Sequence, residues 1–163
     1  MFGRGARIDA VDELDRAILR ELQSDARRTN RDVAAAVGVS PSTALERTRA
    51  LRRRGVIRGA LLDVDLGAMG RPVQALVSVR IRPPSRAVIE EFRDWAQGLP
   101  ETLGVFVTTG TADFVLHVAV PDNDRLYAFV IDRLTQHTAV ADVRTSVVFE
   151  HLRTTRVDPV AQD

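Results

Sequence analysis

The feature that most constrains this chain is a change in the spacing of its apolar residues near residue 70. Before that point they recur every three or four positions, which is the period of an α-helix that buries one face. After it, Val73, Ala75 and Val77 begin an alternation with polar residues, which is the period of a β-strand. The sequence therefore predicts a helical part followed by a part built on a sheet.

Three helices are predicted in the first part. The first spans about 12–24, the second follows Thr29 and ends at Gly38, and the third follows Ser40 with Pro41 in its first position. Thr and Ser cap helix N-termini, Pro is tolerated in the first turn, and Gly favours a helix end. The turn between the second and third helices is short enough to hold them at a steep angle, so a helix-turn-helix is predicted.

Charge is distributed unevenly along the chain. Residues 1–60 hold 13 Arg against 8 acidic residues, a balance of +5, whereas residues 61–163 hold 10 Arg against 14 acidic residues, a balance of −4. A basic unit joined to an acidic one is typical of a polyanion-binding module, and a solvated helix face explains the charge equally well. The helix-turn-helix pattern favours a nucleic acid as the partner.

The third helix carries the candidate DNA contacts. Its apolar stripe points inward, and the positions opposite that stripe are Ser42, Glu46, Arg49 and Arg53. A recognition helix places its N-terminal part in the major groove, so Ser42, Thr43 and Arg47 are predicted to read base edges. Phosphate contacts are predicted for the helix N-termini and for the Arg-rich end, at Thr29, Ser40, Arg52, Arg53 and Arg54. The alternative for any single Arg is an ordinary surface charge.

The second part has the order strand, helix, strand, strand, helix, strand. The strands are predicted at 73–81, 105–109, 114–120 and 140–149, and the helices follow Ser85 and Asp122. This order is that of a ferredoxin-like βαββαβ domain with a four-stranded antiparallel sheet. Right-handed crossovers place both helices on one face. The other face has no cover within the chain and is expected to bind a partner. The residues that would lie there, in one alternation or the other, include Leu76, Val115, Val147 and Phe149.

The fold class is therefore α+β, with a winged helix-turn-helix followed by the ferredoxin-like domain. The helix-turn-helix is predicted over 9–57, a strand or wing and hinge over 58–70, the ferredoxin-like domain over 71–153, and a tail over 154–163.

Several runs resemble one family of prokaryotic transcription factors, the leucine-responsive and asparagine regulators (Lrp/AsnC). They are residues 14–19, 29–34, 38–47 and 51–57 in the first part, and 109–114 and 143–146 in the second. The second part is similar to the family's amino-acid-sensing RAM domain. The resemblance implies a DNA-binding regulator that forms homodimers and often tetramers, octamers or larger rings. It also implies a small effector, commonly an amino acid, bound at an interface between RAM domains.

The resemblance places the effector site at the turn that precedes the third strand. The Asp113 carboxylate can bind the ammonium group of an amino-acid effector. Gly110 has no side chain, so its backbone can approach the carboxylate of the effector closely. Hydroxyl groups are expected from Thr109, Thr145 and Ser146. Thr111 and Ala112 stand where the family has an acid and an aromatic residue. The alternative is that Gly110 and Asp113 form only a hairpin turn.

Several classes of protein are disfavoured by composition. The chain has no Cys, and its three His are scattered, at His117, His137 and His151, so neither a thiolate site nor a zinc site is expected. No cofactor, metal or catalytic residue is predicted. No apolar run approaches the roughly 18 residues that span a bilayer, and the start is too basic for a signal peptide. A cytoplasmic protein without a membrane partner is expected.

Two other functions remain open at this point. Some tetrapyrrole decarboxylases, which act on sirohaem-type substrates, have a similar architecture, but they need clustered acid and base groups that this sequence does not show. A ligand-sensing or scaffold protein that does not bind DNA is the other possibility. It would be favoured by the loss of the Arg residues from the third helix, and those residues are present.

Overall fold

The computed structural model describes residues 11–154 and 156–158. Tertiary contacts divide the chain into two compact units. The helical unit contains the chain up to Leu62 together with the segment that starts at Leu152, and the sheet unit contains Asp63–His151. The chain thus enters the sheet unit once and returns to the helical unit afterwards.

The helical unit contains α1 (Glu13–Ser24), α2 (Asn30–Val37) and α3 (Pro41–Arg53). Each helix begins where the sequence predicts, because a side chain satisfies backbone N–H groups at its first turn. Asp12, Thr29 and Ser40 accept these hydrogen bonds, and Thr29 with Asp32 forms the complete capping box. The predicted helix-turn-helix is confirmed.

The core of the helical unit is small and aliphatic. Its buried members come from all three helices and are Ile18, Leu19, Val33, Ala34, Ala44 and Leu51. Gly38 closes α2 with φ of 73°, in the left-handed region that favours glycine, and this lets the chain turn directly into α3.

The short strand or wing expected after α3 does not form among the described residues. Residues 56–64 carry no regular hydrogen-bonded structure, and Leu61 and Leu62 are 93% and 89% exposed. The expectation was wrong for the single chain because a strand needs a neighbouring strand to satisfy its backbone groups, and none of the described strands pairs with this segment.

The sheet unit has the predicted ferredoxin-like topology. Its elements are β1 (Val73–Ile81), α4 (Arg86–Gln97), β2 (Thr102–Val107), β3 (Phe114–Val120), α5 (Asn123–Ala128), a π-helical continuation (Phe129–Leu134) and β4 (Val140–Val148). The sheet order is β2-β3-β1-β4, with every neighbouring pair antiparallel. β2 starts at Thr102, three residues before the predicted start, because an irregularity between Thr102 and Gly104 interrupts the apolar alternation.

The two faces of this sheet differ. One face packs against α4, α5 and the π-helical turn, where Phe92, Phe114 and Leu134 are fully buried. On the opposite face large apolar side chains remain exposed, among them Leu76 and Phe106. The expectation that Val147 lies on this face was wrong, because Val147 pairs with the buried Ala75 and paired residues share a face of the sheet. In the part of the chain that the structure describes, no helix has the length and apolar character needed to cross a membrane.

Candidate nucleic-acid interface and effector turn

Three hydroxyl groups lie together at the start of α3. The Ser40 Oγ accepts a hydrogen bond from the Thr43 backbone N–H at 3.1 Å. It is also 2.8 Å from the hydroxyl oxygens of both Ser42 and Thr43. Ser40 and Ser42 are exposed, and Thr43 is half-buried. The structure thus brings these three predicted residues together at a helix N-terminus, where hydroxyl groups can bind phosphates or bases.

The outer face of α3 is basic and open. Arg49, Arg52 and Arg53 are exposed, and within the described residues none of them forms an ion pair. Arg52 and Arg53 lie in the last turn of the helix, where positive charge is favoured by the helix dipole. These side chains are available to a polyanion.

Arg47 and Arg54 lie on a different side of α3, facing the start of α1. The Arg47 Nη1 is 2.6 Å from the Asp12 Oδ2 and 3.5 Å from the Asp15 Oδ1. The Arg54 Nη1 is 2.9 Å from the Asp15 Oδ2. We call these four residues the α1–α3 clasp. Contact with DNA by Arg47 or Arg54, as the sequence predicted, would require the clasp to open.

Within the clasp, Asp12 and Arg47 stabilise each other's charged forms. A hydrogen bond from the Asp15 backbone N–H, followed by the interaction with Arg47, lowers the pKa of Asp12. The carboxylate of Asp12 in turn raises the pKa of Arg47. Asp15 is only 1% exposed, so its carboxylate is a buried charge that needs its two arginine partners.

The end of the described chain contacts α1 of the helical unit. The Gln23 side chain accepts a hydrogen bond from the Val157 N–H at 2.7 Å and donates one to the Val157 carbonyl at 3.1 Å. Arg20 forms an ion pair with Asp158 at 2.8 Å. Val157 and Asp158 lie at a cavity of about 580 Å³ whose apolar lining includes Leu19 and Ile57. Sequence reasoning missed this contact because it joins residues about 134 positions apart.

The predicted effector turn connects β2 and β3. Gly110 has φ of 117°, which an L side chain rarely adopts, and it is exposed with Thr109. The Asp113 Oδ2 accepts a hydrogen bond from the Ile81 N–H at 2.9 Å, and the Asp113 N–H donates to the Val79 carbonyl. Asp113 therefore fixes the turn to β1 through one carboxylate oxygen. Its Oδ1 forms no hydrogen bond within the described residues.

Thr145 and Ser146 lie elsewhere on the sheet. They are on the edge strand β4, opposite Val77 and Leu76 of β1, and both are exposed. β1 separates β4 from β3, so these residues lie about 10 Å across the sheet from the strand that follows the turn. The single chain thus brings Thr109, Gly110 and Asp113 together and leaves Thr145 and Ser146 apart from them.

The open face of the sheet contains a cavity of about 470 Å³. Its lining includes Leu76, Phe106, Val115 and His117. The His117 Nε2 is 3.0 Å from the Gln74 Oε1, and its ring makes an edge contact with the ring of His151. Among the described residues, no group of His, Cys, Asp and Glu is arranged to hold a metal ion. The open face of the sheet thus has an apolar centre, with the polar side chains of His117 and Gln74 next to it.

Family models match both parts of the chain. The AsnC-type helix-turn-helix domain matches residues 11–52, and the Lrp/AsnC ligand binding domain matches residues 74–158. The chain belongs to the Lrp/AsnC family. As a member of this family, it is a DNA-binding transcriptional regulator with a helix-turn-helix in the helical unit.

Relatives agree with this assignment along most of the chain. The HTH-type transcriptional regulator AldR of Mycobacterium tuberculosis is 41% identical over 143 residues, which cover 88% of this chain and 80% of AldR. The transcriptional regulator AzlB of Bacillus subtilis is 33% identical over 150 residues, covering 92% and 96% of the two chains. Both relatives are named as regulators of transcription.

Solved structures agree as well. A transcriptional regulator of Neisseria meningitidis, solved in complex with L-Met, superposes with a TM-score of 0.83 and 30% identity, covering 92% of this chain and 97% of that one. AsnC of Escherichia coli superposes with a TM-score of 0.81 and 25% identity, covering 92% and 99%. The α+β fold of an Lrp/AsnC regulator is confirmed.

Proposed function

We propose that this regulator recognises specific double-stranded DNA with the exposed face of α3 and responds to a small effector, an amino acid being the first candidate. The observation that carries the proposed DNA binding is found at α3, where an exposed hydroxyl cluster at the start of the helix is combined with exposed arginines towards its end. Short hydroxyls and Arg are the groups that contact base edges and phosphates in the major groove.

Within this site, Ser42 contacts base edges, together with the half-buried Thr43. Phosphates are bound by the start of α3 at Ser40 and by Arg52 and Arg53. The sequence-based assignment of Arg47 to base edges and of Arg54 to phosphates competes with the α1–α3 clasp.

The test begins with selection of duplexes from a random-sequence pool by the full chain. Fluorescence anisotropy then compares the selected duplex with the unselected pool at about 50 and about 200 mM salt. We expect selective binding that weakens steeply with salt, and a salt slope reduced by about one in Arg53→Ala. Failure of the wild-type protein to enrich any sequence would contradict sequence-specific binding.

We further propose that two copies associate through the open face of the sheet. Leu76 and Phe106 are exposed there, and an apolar patch of this kind is usually buried against a partner. A twofold pair presents two α3 helices to half-sites about one turn of DNA apart. Self-association through the sheet unit would therefore set the spacing of the two helices that recognise DNA.

The effector is proposed to bind at the turn of Gly110 and Asp113, in a site completed by a second copy. Support comes from the Asp113 carboxylate, which keeps one oxygen free of described partners, and from the open backbone at Gly110. An effector that binds one assembly more tightly than another shifts the population towards that assembly. The change in DNA affinity is limited by this difference in effector affinity.

The variant Asp113→Asn tests this site. Asn keeps an oxygen for the Ile81 N–H, so the turn should hold, and it removes the charge that would bind an ammonium group. Sedimentation of the wild type with a pool of the standard amino acids should show a change in assembly, and the variant should lose that change. A response in the variant equal to that of the wild type would move the effector site away from Asp113.

A further inference from the structure

The arginines along α3 and at its end fall into two groups, one paired with carboxylates of the protein and the other exposed on the outer face. Arg47 and Arg54 point to α1 and belong to the α1–α3 clasp. Arg49 and Arg53 lie on the outer face with Ser42, and both are exposed. Helical geometry explains the separation, because positions 47 and 54 are seven apart and share one flank, while 42, 49 and 53 share the face opposite the buried stripe.

The first group is held by a buried charge. Asp15 is 1% exposed, and its two oxygens face Arg47 and Arg54. Moving either guanidinium to DNA would leave this carboxylate underpaired in the protein interior, which is strongly unfavourable. Moving Arg47 would also remove the partner that lies 2.6 Å from the half-exposed carboxylate of Asp12, the N-cap residue of α1. DNA binding by Arg47 therefore opposes the stability of the unit.

Arg49 has neither restraint. It is exposed and forms no ion pair with any described residue. It lies seven residues after Ser42, about 10 Å along the helix, so the two side chains can reach base pairs roughly three steps apart. Glu46, one turn before Arg49 on the same face, is also exposed, and a carboxylate there accepts from cytosine while it repels phosphates. A helix face that combines a hydroxyl, a carboxylate and a guanidinium group can form hydrogen bonds with the edges of bases.

We infer that Arg49 is the arginine of α3 that reads a base, most favourably guanine, and that Arg47 is a positioning residue that holds α3 on α1. This inference rests on the sequence-specific DNA binding proposed above. It reverses the assignment that the sequence alone favours, in which Arg47 reads the base.

Arginine-to-lysine variants separate the two roles. Lys keeps the positive charge and so keeps phosphate attraction, but it lacks the rigid fork of two donors that pairs with guanine. At position 47 a lysine can still serve the clasp, because one nitrogen of Arg47, Nη1, makes both contacts, with Asp12 and with Asp15. The matched variants are Arg49→Lys and Arg47→Lys.

The experiment measures the affinity of the full chain for the duplex selected by the wild type and for the unselected pool. We expect Arg49→Lys to lose roughly ten-fold or more in affinity for the selected duplex while its affinity for the pool stays within about two-fold. Arg47→Lys should stay within about two-fold on both. A second selection with Arg49→Lys should lose the preference at one base pair and keep it at the others.

Arg47→Ala supplies the readout for positioning. It should lower the melting temperature and weaken binding to both DNAs, and Arg47→Lys should restore both properties. If instead Arg47→Lys loses selectivity at an unchanged melting temperature, or Arg49→Lys keeps full selectivity, the inference is overturned while the proposed function stands. If the wild type selects no sequence, the proposed function fails and the inference fails with it.

Discussion

The helical unit and the sheet unit are stabilised by different means. Among the described residues, the helical core has six buried apolar side chains, none of them aromatic, and it includes the buried carboxylate of Asp15. The sheet core has fifteen, with Phe92 and Phe114 in ring contact at 4.7 Å. The small unit depends on charged contacts between its helices, whereas the large one depends on apolar packing. In the helical unit some arginines of the third helix region pair with carboxylates of the protein, as Arg47 and Arg54 do, and others, such as Arg49, are exposed.

The comparison is tested most strongly at Phe92, which is fully buried between α4 and the sheet. Phe92→Ala should cost about 3–5 kcal/mol, because it removes apolar contacts and leaves a cavity. Hydrogen exchange followed by mass spectrometry should show lost protection in the strands and retained protection in α1–α3. Tyr127→Ala, at a 69% exposed position, is the control and should change little. Equal loss of protection in both units would show that they unfold together.

Arg54→Ala tests the clasp. The Arg54 side chain is 23% exposed and pairs with the buried Asp15, so the variant should destabilise the helical unit by about 2 kcal/mol. The control is Arg52→Ala, since Arg52 is exposed and lies only two residues before Arg54. This variant should lower the free energy of unfolding by no more than about 0.5 kcal/mol. Urea denaturation measures both. Similar costs for the two variants would mean that the clasp contributes no more than ordinary surface charges.

The open sheet face should respond to charge without a loss of folding. Phe106 is 56% exposed, so Phe106→Glu should leave the melting of the monomer nearly unchanged. It should weaken self-association by about ten-fold or more, because association would bury the new carboxylate. Analytical ultracentrifugation over a range of concentrations measures this. The matched control is Tyr127→Glu on α5, and an equal effect there would place the interface elsewhere.

Acid should affect the helical unit through its capping and clasp carboxylates. The hydrogen bonds of Thr29 lower the pKa of Asp32, and the contacts described above lower that of Asp12, both from an ordinary value of 3.8. A carboxylate with a lowered pKa stabilises the fold above its ordinary value, and this stabilisation is lost as the pH falls through the folded-state pKa. The melting temperature should therefore decline below about pH 4.

The double variant Asp12→Asn and Asp32→Asn identifies the groups responsible. It should start from a lower melting temperature at neutral pH and decline less below about pH 4, because its amides do not titrate. Circular dichroism against temperature at a series of pH values measures both slopes. Parallel declines in the variant and the wild type would assign the acid sensitivity to other carboxylates.

The elements of both units could be predicted from local sequence because their signals are local. Thr29 with Asp32, and Ser40 before Pro41, determine helix starts within one turn, and the alternation from Val73 marks a strand. β2 was predicted three residues late because the irregularity at Gly104 breaks that alternation. The segment containing Leu61 looked like a strand, but strand formation depends on a partner that local sequence does not specify.

The candidate sites were less predictable than the fold. The proximity of Ser40, Ser42 and Thr43 could be predicted because all three belong to the first turn of α3, and their assignment to DNA contact stays a prediction. The pairing of Arg47 with Asp12 spans 35 residues, and Arg20 with Asp158 spans 138, so no periodicity reveals either. Asp113 was expected to face a ligand, and the structure shows that one of its oxygens also holds the turn to Ile81.

The sequence by itself determined the order of elements, their caps, the basic first part and the family, because these depend on residue type and on spacing within a few turns. Only the tertiary structure decided which charges are engaged. Arg47 and Arg49 are two residues apart and chemically identical, yet a rotation of about 200° around α3 turns one towards a buried carboxylate and the other towards solvent. Their roles differ because electrostatic partners are set by three-dimensional proximity.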